Sequence, residues 1–166
     1  MKTALLIVLI LLAVYGLLWL LNQLSYRLMK TRIIGRRKWG LNICCGKIDG
    51  GGVNADIVRH TDVPHFVLVE DITKLPFSDK QFPSVLCSHT IEHVDDPRRF
   101  YAELCRVGSE VTLILPPLWD ISAALNIIEH QWLFLTWKKE HRLLPRFVRL
   151  PLARTVQKLF GQRIKA

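Results

Sequence analysis

Gly40-Leu-Asn-Ile-Cys-Cys-Gly-Lys-Ile-Asp-Gly-Gly-Gly-Val-Asn-Ala-Asp-Ile57 holds two short apolar strands, Gly40 to Cys44 and Val53 to Ile57, with only eight residues, Cys45 to Gly52, between them. A parallel crossover that carries a helix needs at least about 10 to 12 residues. If the two strands are parallel neighbours, the usual first helix has shrunk to a glycine-rich loop. Working outward, the apolar runs Phe66 to Glu70, Ser84 to Ser88, Val111 to Leu115 and Trp132 to Thr136 read as further strands. Several are apolar on both faces, as in a sheet covered on both sides. Helices are expected from Pro97 to Arg106, Ile121 to His130 and Leu152 to Phe160. The first has Asp95 and Asp96 as cap and N-terminal charge, Pro97 in its opening turn, and Phe100, Leu104 and Val107 on one face. Alternation of strands and helices makes this an α/β domain. Trp119, Trp132 and Trp137 are read as core rather than pocket lining.

Upstream, Ala4 to Leu21 is uncharged over 18 residues. At 1.5 Å per residue that is about 27 Å of helix, enough for one transmembrane crossing. The run exceeds the core of a signal peptide, and no Ala-x-Ala site follows it. Only Lys2 precedes the run, whereas Arg27, Lys30, Arg32, Arg36, Arg37 and Lys38 follow. The positive-inside tendency therefore predicts a single-pass membrane protein with a short outer N-terminus and its domain on the cytoplasmic side. The expected organisation is an anchor at 1–26, a basic juxtamembrane linker at 27–38, a domain at 39–137 and a basic amphipathic tail at 138–166.

The formal net charge is +9, yet residues 41–137 hold seven basic and thirteen acidic side chains. The positive excess lies beside the apolar run and in the tail, where Lys138, Lys139, Arg142, Arg146, Arg149, Arg154, Lys158, Arg163 and Lys165 face only Glu140. Basic flanks around an acidic domain fit anionic membrane lipids, and no nucleic acid is expected as a partner. A merely solvated tail is the plainer alternative. Leu152, Val156, Leu159, Phe160 and Ile164 form an apolar stripe that either lies in the headgroup region or packs on the sheet. Cys44, Cys45, Cys87 and Cys105 lack C-x-x-C spacing and read as reduced packing residues.

Five segments carry the chemistry: Leu41-Asn-Ile-Cys-Cys-Gly46, Val53-Asn-Ala-Asp-Ile57, Asp71-Ile-Thr-Lys-Leu-Pro-Phe77, Ser88-His-Thr-Ile-Glu-His-Val94 and Glu103-Leu-Cys-Arg-Val-Gly108. In this order they resemble the landmarks of class I S-adenosylmethionine-dependent methyltransferases of the small type 11 group, over about residues 40–120. The resemblance implies a reduced Rossmann-like, doubly wound, mostly parallel sheet preceded by one transmembrane helix, with S-adenosylmethionine as cofactor. It puts Asn42, Cys44, Gly46 and Ser88 around the cofactor, Asp56 on the ribose hydroxyls, and Asp71 with the Ile72 amide at the adenine. Taken alone, each Asp reads more readily as a turn cap, and only the joint context favours the ligand. The sequence departs from the family where Asn42 replaces an acidic residue, Cys44 a glycine, and Lys47-Ile48-Asp49 the continuing glycine run.

His89 and Glu92 are the candidate catalytic pair, with His89 taking a proton from an acceptor. Alternatively both simply hydrogen-bond their loop. His89, Glu92 and His93 also match the inverted zinc-protease signature, but that needs a long helix. Only about one turn separates the strand ending at Ser88 from the helix opening at Pro97, so no metal is expected from that motif. The function implied is methyl transfer to a small or lipid-linked acceptor at the membrane. The rivals are a non-catalytic scaffold of the same fold and a zinc hydrolase.

Overall fold

The computed structural model describes residues 2–160. One continuous helix runs from Lys2 to Ile34, 33 residues long and apolar enough to cross a membrane by length and composition. It comprises α1 (Lys2–Gln23), a π-helical stretch (Leu24–Met29) and α2 (Lys30–Ile34). Eight strands follow: β1 (Leu41–Ile43), β2 (Val53–Asp56), β3 (Phe66–Leu68), β4 (Phe82–Ser88), β5 (Gly108–Ile114), β6 (Trp132–Phe134), β7 (Glu140–His141) and β8 (Phe147–Arg149). The remaining helices are α3 (Pro97–Val107), α4 (Ile121–Ala124) and α5 (Ala153–Phe160).

Six strands form one sheet in the order β3-β2-β1-β4-β5-β7, with β6 and β8 paired separately. All neighbours in the large sheet are parallel except β5 and β7. β1 and β2 are indeed parallel neighbours. A turn and loop, without a helix, joins them. On one face, Phe100, Leu104 and Val107 of α3 pack with Leu41, Ile43, Val85 and Leu113. Asp96 caps α3 by accepting from the amides of Arg98 and Arg99 at 3.0 and 3.1 Å.

The opposite face is covered from an unexpected source. Ile33 and Ile34 of α2, with Trp39, pack on Leu86 of β4 and Ile114 of β5, and Ile48 closes the group. The Trp39 indole donates to the Ile34 carbonyl at 2.8 Å. Thus the end of the N-terminal helix occupies the face left bare by the missing crossover helix. The stretch expected as a linker is helical through Ile34 because its apolar residues have this surface to bury.

Charges settle differently from expectation as well. Arg36 pairs with Glu140 at 2.9 Å, while Arg37 and Arg142 both reach Glu110, at 3.0 and 2.8 Å. Lys30 and Lys139, counted in sequence among the lipid-facing cations, are buried. The helix expected from Ile121 to His130 ends at Ala124, because residues 131 and 132 are drawn onto the loop after β4. Trp137, expected in the core, is 70% exposed. In α5, Ala153 is buried, whereas Leu159 and Phe160 are exposed, so the stripe does not pack on the sheet. Arg163, Ile164 and Lys165 lie outside the described residues.

The tight β1–β2 connection requires Gly52. A Cβ there would collide with the Trp39 carbonyl oxygen and come within 2.8 Å of the Gly40 carbonyl oxygen. Backbone oxygens cannot rotate away, so Gly52→Ala is expected to destabilise the chain by about 1 to 3 kcal/mol. Urea unfolding checks this, and an unchanged midpoint would refute it.

Candidate active site

The strand order reverses between β1 and β4, and ligands of open α/β sheets bind beyond the carboxyl ends of the strands at such a point. A cavity of about 620 Å³ lies there. Asn42 to Ile48, excluding the buried Ile43, line it from β1, Ser88 to Thr90 from β4, and Tyr26, Arg27, Lys30, Thr31, Ile34 and Gly35 from the N-terminal helix. Its size suits a nucleoside-sized ligand.

Both strand ends carry unusual backbone. Cys44 (φ 52°), Gly46 (φ 57°) and His89 (φ 54°) are left-handed, a conformation that costs a non-glycine residue roughly 1 to 2 kcal/mol. Nothing lies within 4 Å of a Cβ placed on Gly46. The Gly46 amide donates to Asp56 Oδ2 and the Ile57 amide to Asp56 Oδ1, each at 2.8 Å. Asp56 therefore shapes the loop from beneath.

Asn42 is absorbed by the same loop. Its amide donates to the Ile48 carbonyl at 2.9 Å and to Asn54 Oδ1 at 3.1 Å. Burial pushes the Cys44 thiol well above its ordinary value, with Cys87 and Asp56 adding to the shift, so Cys44 is a neutral wall residue. Ser88 lines the cavity, and its Oγ is shielded from solvent with no hydrogen-bond partner among the described residues.

Asp71 and Ile72 stand apart. Asp71 is exposed and accepts from the amide and hydroxyl of Thr73, both at 2.7 Å. Those bonds hold its carboxyl below the usual range. Ile72 is buried in the core. The structure thus brings Asn42, Cys44, Gly46, Ser88 and His89 to one cavity, places Asp56 just below it, and leaves Asp71, Ile72 and Glu92 outside its lining.

Four side chains form a hydrogen-bonded relay from the N-terminal helix into the domain. Lys139 Nζ donates to Ser25 Oγ and to His89 Nε2, each at 2.8 Å. His89 Nδ1, which must then carry the proton, donates to Glu92 Oε1 at 3.1 Å. Burial lowers Lys139 to about 8. Burial likewise lowers His89, against the pull of Glu92. Glu92 is fully enclosed; burial resists its ionisation, yet the His89 bond and the nearby histidines bring it down to about 2. At neutral pH the relay is a cationic lysine, a neutral imidazole and a carboxylate. Tyr26 packs on His89 with centroids 5.2 Å apart, and Lys30 lies over the Tyr26 ring at 4.1 Å.

Sequence reasoning missed Ser25, Tyr26 and Lys139. Ser25 falls within the expected anchor and Lys139 within the expected basic tail, and no local pattern joins residues 114 positions apart. A polar residue on the inner face of an apolar helix was the available signal.

The strand order, the left-handed turn after β1 and the cavity at the switch point define a Rossmann-like fold of the S-adenosylmethionine-dependent methyltransferase class. Residues 37–110 match the family model described as a methyltransferase domain, of type 11. The family implies S-adenosylmethionine as cofactor. No curated protein matches the chain significantly. Solved structures similar to it include a Thermotoga maritima S-adenosylmethionine-dependent methyltransferase described as a possible histamine N-methyltransferase. That pair shares 19% identity over 64% of this chain and 58% of the other, with a TM-score of 0.44. A methyltransferase from Aquifex aeolicus is 16% identical over 56% of this chain and 66% of its own, with a TM-score of 0.41. One from Methanosarcina mazei is 17% identical over 63% and 72%, with a TM-score of 0.40. The chain spans a little over half the length of the Thermotoga protein.

Two features of the cavity fit the cofactor. Ser88 Oγ is a shielded polar atom awaiting a partner, and the turn at Gly46 presents bare backbone. Asn42, Gly46 and Ser88 would hold it, with Asp56 keeping the loop in shape.

Proposed function

We propose that the chain is a membrane-anchored S-adenosylmethionine-dependent methyltransferase acting on a small or lipid-linked acceptor. The observation that carries this reading is that the helix bearing the apolar segment continues without a break into the cavity wall, where Tyr26, Lys30 and Ile34 face Gly46 and His89. An acceptor resident in the bilayer then reaches the cavity at high effective concentration. Exposed Ile121, Leu125 and Ile128, beside α1, and Leu159 and Phe160 on α5 are apolar surfaces suited to the interface. Domain placement on the cytoplasmic side follows the charge bias of the flanks.

Bound S-adenosylmethionine supplies an electrophilic methyl group. The protein's part is alignment and exclusion of water. The relay holds the His89 ring at the cavity edge, and Lys139 occupies its Nε2, so His89 accepts an acceptor's proton there only when Lys139 swings away.

The test is calorimetry of the full chain in detergent micelles with S-adenosylhomocysteine. Binding is expected, and none at millimolar ligand would overturn the reading. Asp56→Ala removes the acceptor for two loop amides, one of them at Gly46, and should weaken binding by about 1 to 3 kcal/mol. Unchanged affinity would remove Asp56 from any role in the site.

A second reading, a non-catalytic scaffold of the same fold, is favoured by one observation. Among the described residues no carboxylate lines the cavity, whereas Arg27, Lys30 and Lys47 do. The cofactor's sulfonium and ammonium groups gain no opposite charge there. The same titration separates the two readings.

A further inference from the structure

Behind the cavity, Glu92, whose Oε1 belongs to the relay, converges with two histidines that the relay does not include. One ligand atom from each of Glu92, His93 and His130 lies within 4.8 Å of the other two. Glu92 is wholly buried, and His130 is 5% exposed. Glu92 Oε2 and His130 Nδ1 are both shielded from solvent and have no hydrogen-bond partner. Two such atoms on residues whose ligand atoms cluster point to a bound group, because unpaired buried polar groups are costly.

The surroundings are those of a metal site. His93 Nδ1 bonds the Glu129 carbonyl oxygen at 2.9 Å. A carbonyl only accepts, so Nδ1 carries a proton, and in a neutral ring Nε2 is then the nitrogen that can ligate a metal. Glu92 Oε1 takes the His89 N–H, which leaves Oε2 as the oxygen without a partner. Carboxylates and histidines held from behind in this way are typical of metal ligands. The backbone is also fixed in place. Amides of Gln131 and Trp132 donate to the Glu92 carbonyl at 2.8 and 3.2 Å, and their side chains donate to the His93 and Val94 carbonyls at 2.8 Å. These bonds staple His130 beside Glu92 and His93, whose ring centroid is 4.8 Å from that of His130.

We infer that Glu92, His93 and His130 form a three-ligand site for a divalent transition metal, zinc by its donor set of two imidazoles and one carboxylate. Tetrahedral zinc with bonds of about 2.1 Å sets its donors roughly 3.4 Å apart. Donors already within 4.8 Å reach that spacing by small side-chain rotations. His93 and His130 also line a cavity of about 470 Å³ with Asn22, Ser122 and Asn126, which gives the metal a route in and a fourth position for water or an oxygen ligand. The site differs from the zinc-protease signature: Glu92 is a ligand rather than a base, and His89 holds the carboxylate rather than the metal. It does not depend on cofactor binding.

The experiment uses the full chain in detergent micelles, stripped with chelator and then loaded with Zn²⁺ alone or Co²⁺ alone. One equivalent of zinc should survive gel filtration, and cobalt should show the visible bands of a four-coordinate nitrogen and oxygen site. His93→Ala and His130→Gln should each weaken zinc binding more than about tenfold, and His89→Ala by about 10- to 100-fold through its grip on Glu92. Circular dichroism of each variant shows that it has folded, and His130→Gln preserves the side chain's bulk. Failure to retain zinc, retention unaffected in folded His93 and His130 variants, or a thiolate-to-cobalt band signalling a cysteine site would each overturn the assignment.

Discussion

A chain that begins at residue 36 is expected to lose cooperative unfolding, whereas one that begins at residue 22 keeps it. The shorter chain lacks Ile33 and Ile34, which cover Leu86 and Ile114 on the face that no crossover helix protects. Deleting one buried isoleucine side chain typically costs about 2 to 5 kcal/mol. Two such losses approach the whole stability of an ordinary domain, about 5 to 15 kcal/mol. The truncation also strips Lys139 of Ser25, its partner at 2.8 Å. Urea unfolding followed by tryptophan fluorescence compares the two chains, both in detergent. Equal midpoints would show that the N-terminal helix is a tether and no part of the fold. For the same reason, cofactor and metal binding are to be measured on the full chain.

Glu92→Ala should destabilise the metal-free chain by about 3 kcal/mol or more, since removing one member of a buried charged network leaves the others unpaired. His89 Nδ1 would lose its acceptor at 3.1 Å, and buried Lys139 would lose one of its two nearby carboxylates, keeping Asp120. Glu92→Gln retains a carbonyl to accept from His89 and is expected to cost less. Thermal unfolding of both variants, with chelator present, decides the point. A loss below about 1 kcal/mol for the alanine variant would mean that the relay contributes little to stability.

Local chemistry made much of this protein legible. The six expected strands lie within a few residues of their places because each is a short apolar run between turn formers, whereas β7 and β8, short and carrying charged residues, gave no such signal. Asp96 and Pro97 start α3 as the sequence implies, for a cap acts within one turn. The eight-residue gap between the first two strands left no room for a helix, and none is there. Asn42, Cys44, Gly46, Ser88 and His89 meet at one cavity because the ends of adjacent parallel strands are neighbours in any sheet of this order.

Other features had no local signature. Asp71 follows its strand as the motif suggests, yet Thr73, two residues on, claims its carboxylate. Lys139 sits in a basic tract that reads as surface, and only the pairing of β7 with β5 carries it inward to His89. The end of the second helix turned on contacts between residues 131–132 and 92–94, which no periodicity records. His130, far from His93 in the chain, joins it by the same staple.

The sequence by itself determined an apolar helix, an α/β alternation and a shortened first crossover, all set by periodicity and spacing within a few residues, while the cofactor turn was implied by the family resemblance. The tertiary structure alone decided what covers the bare face of the sheet and which polar groups meet behind β4. Both depend on the free energy of burying apolar surface and pairing polar atoms contributed by segments from 36 to 114 residues apart, and such partners become visible only when the chain is folded.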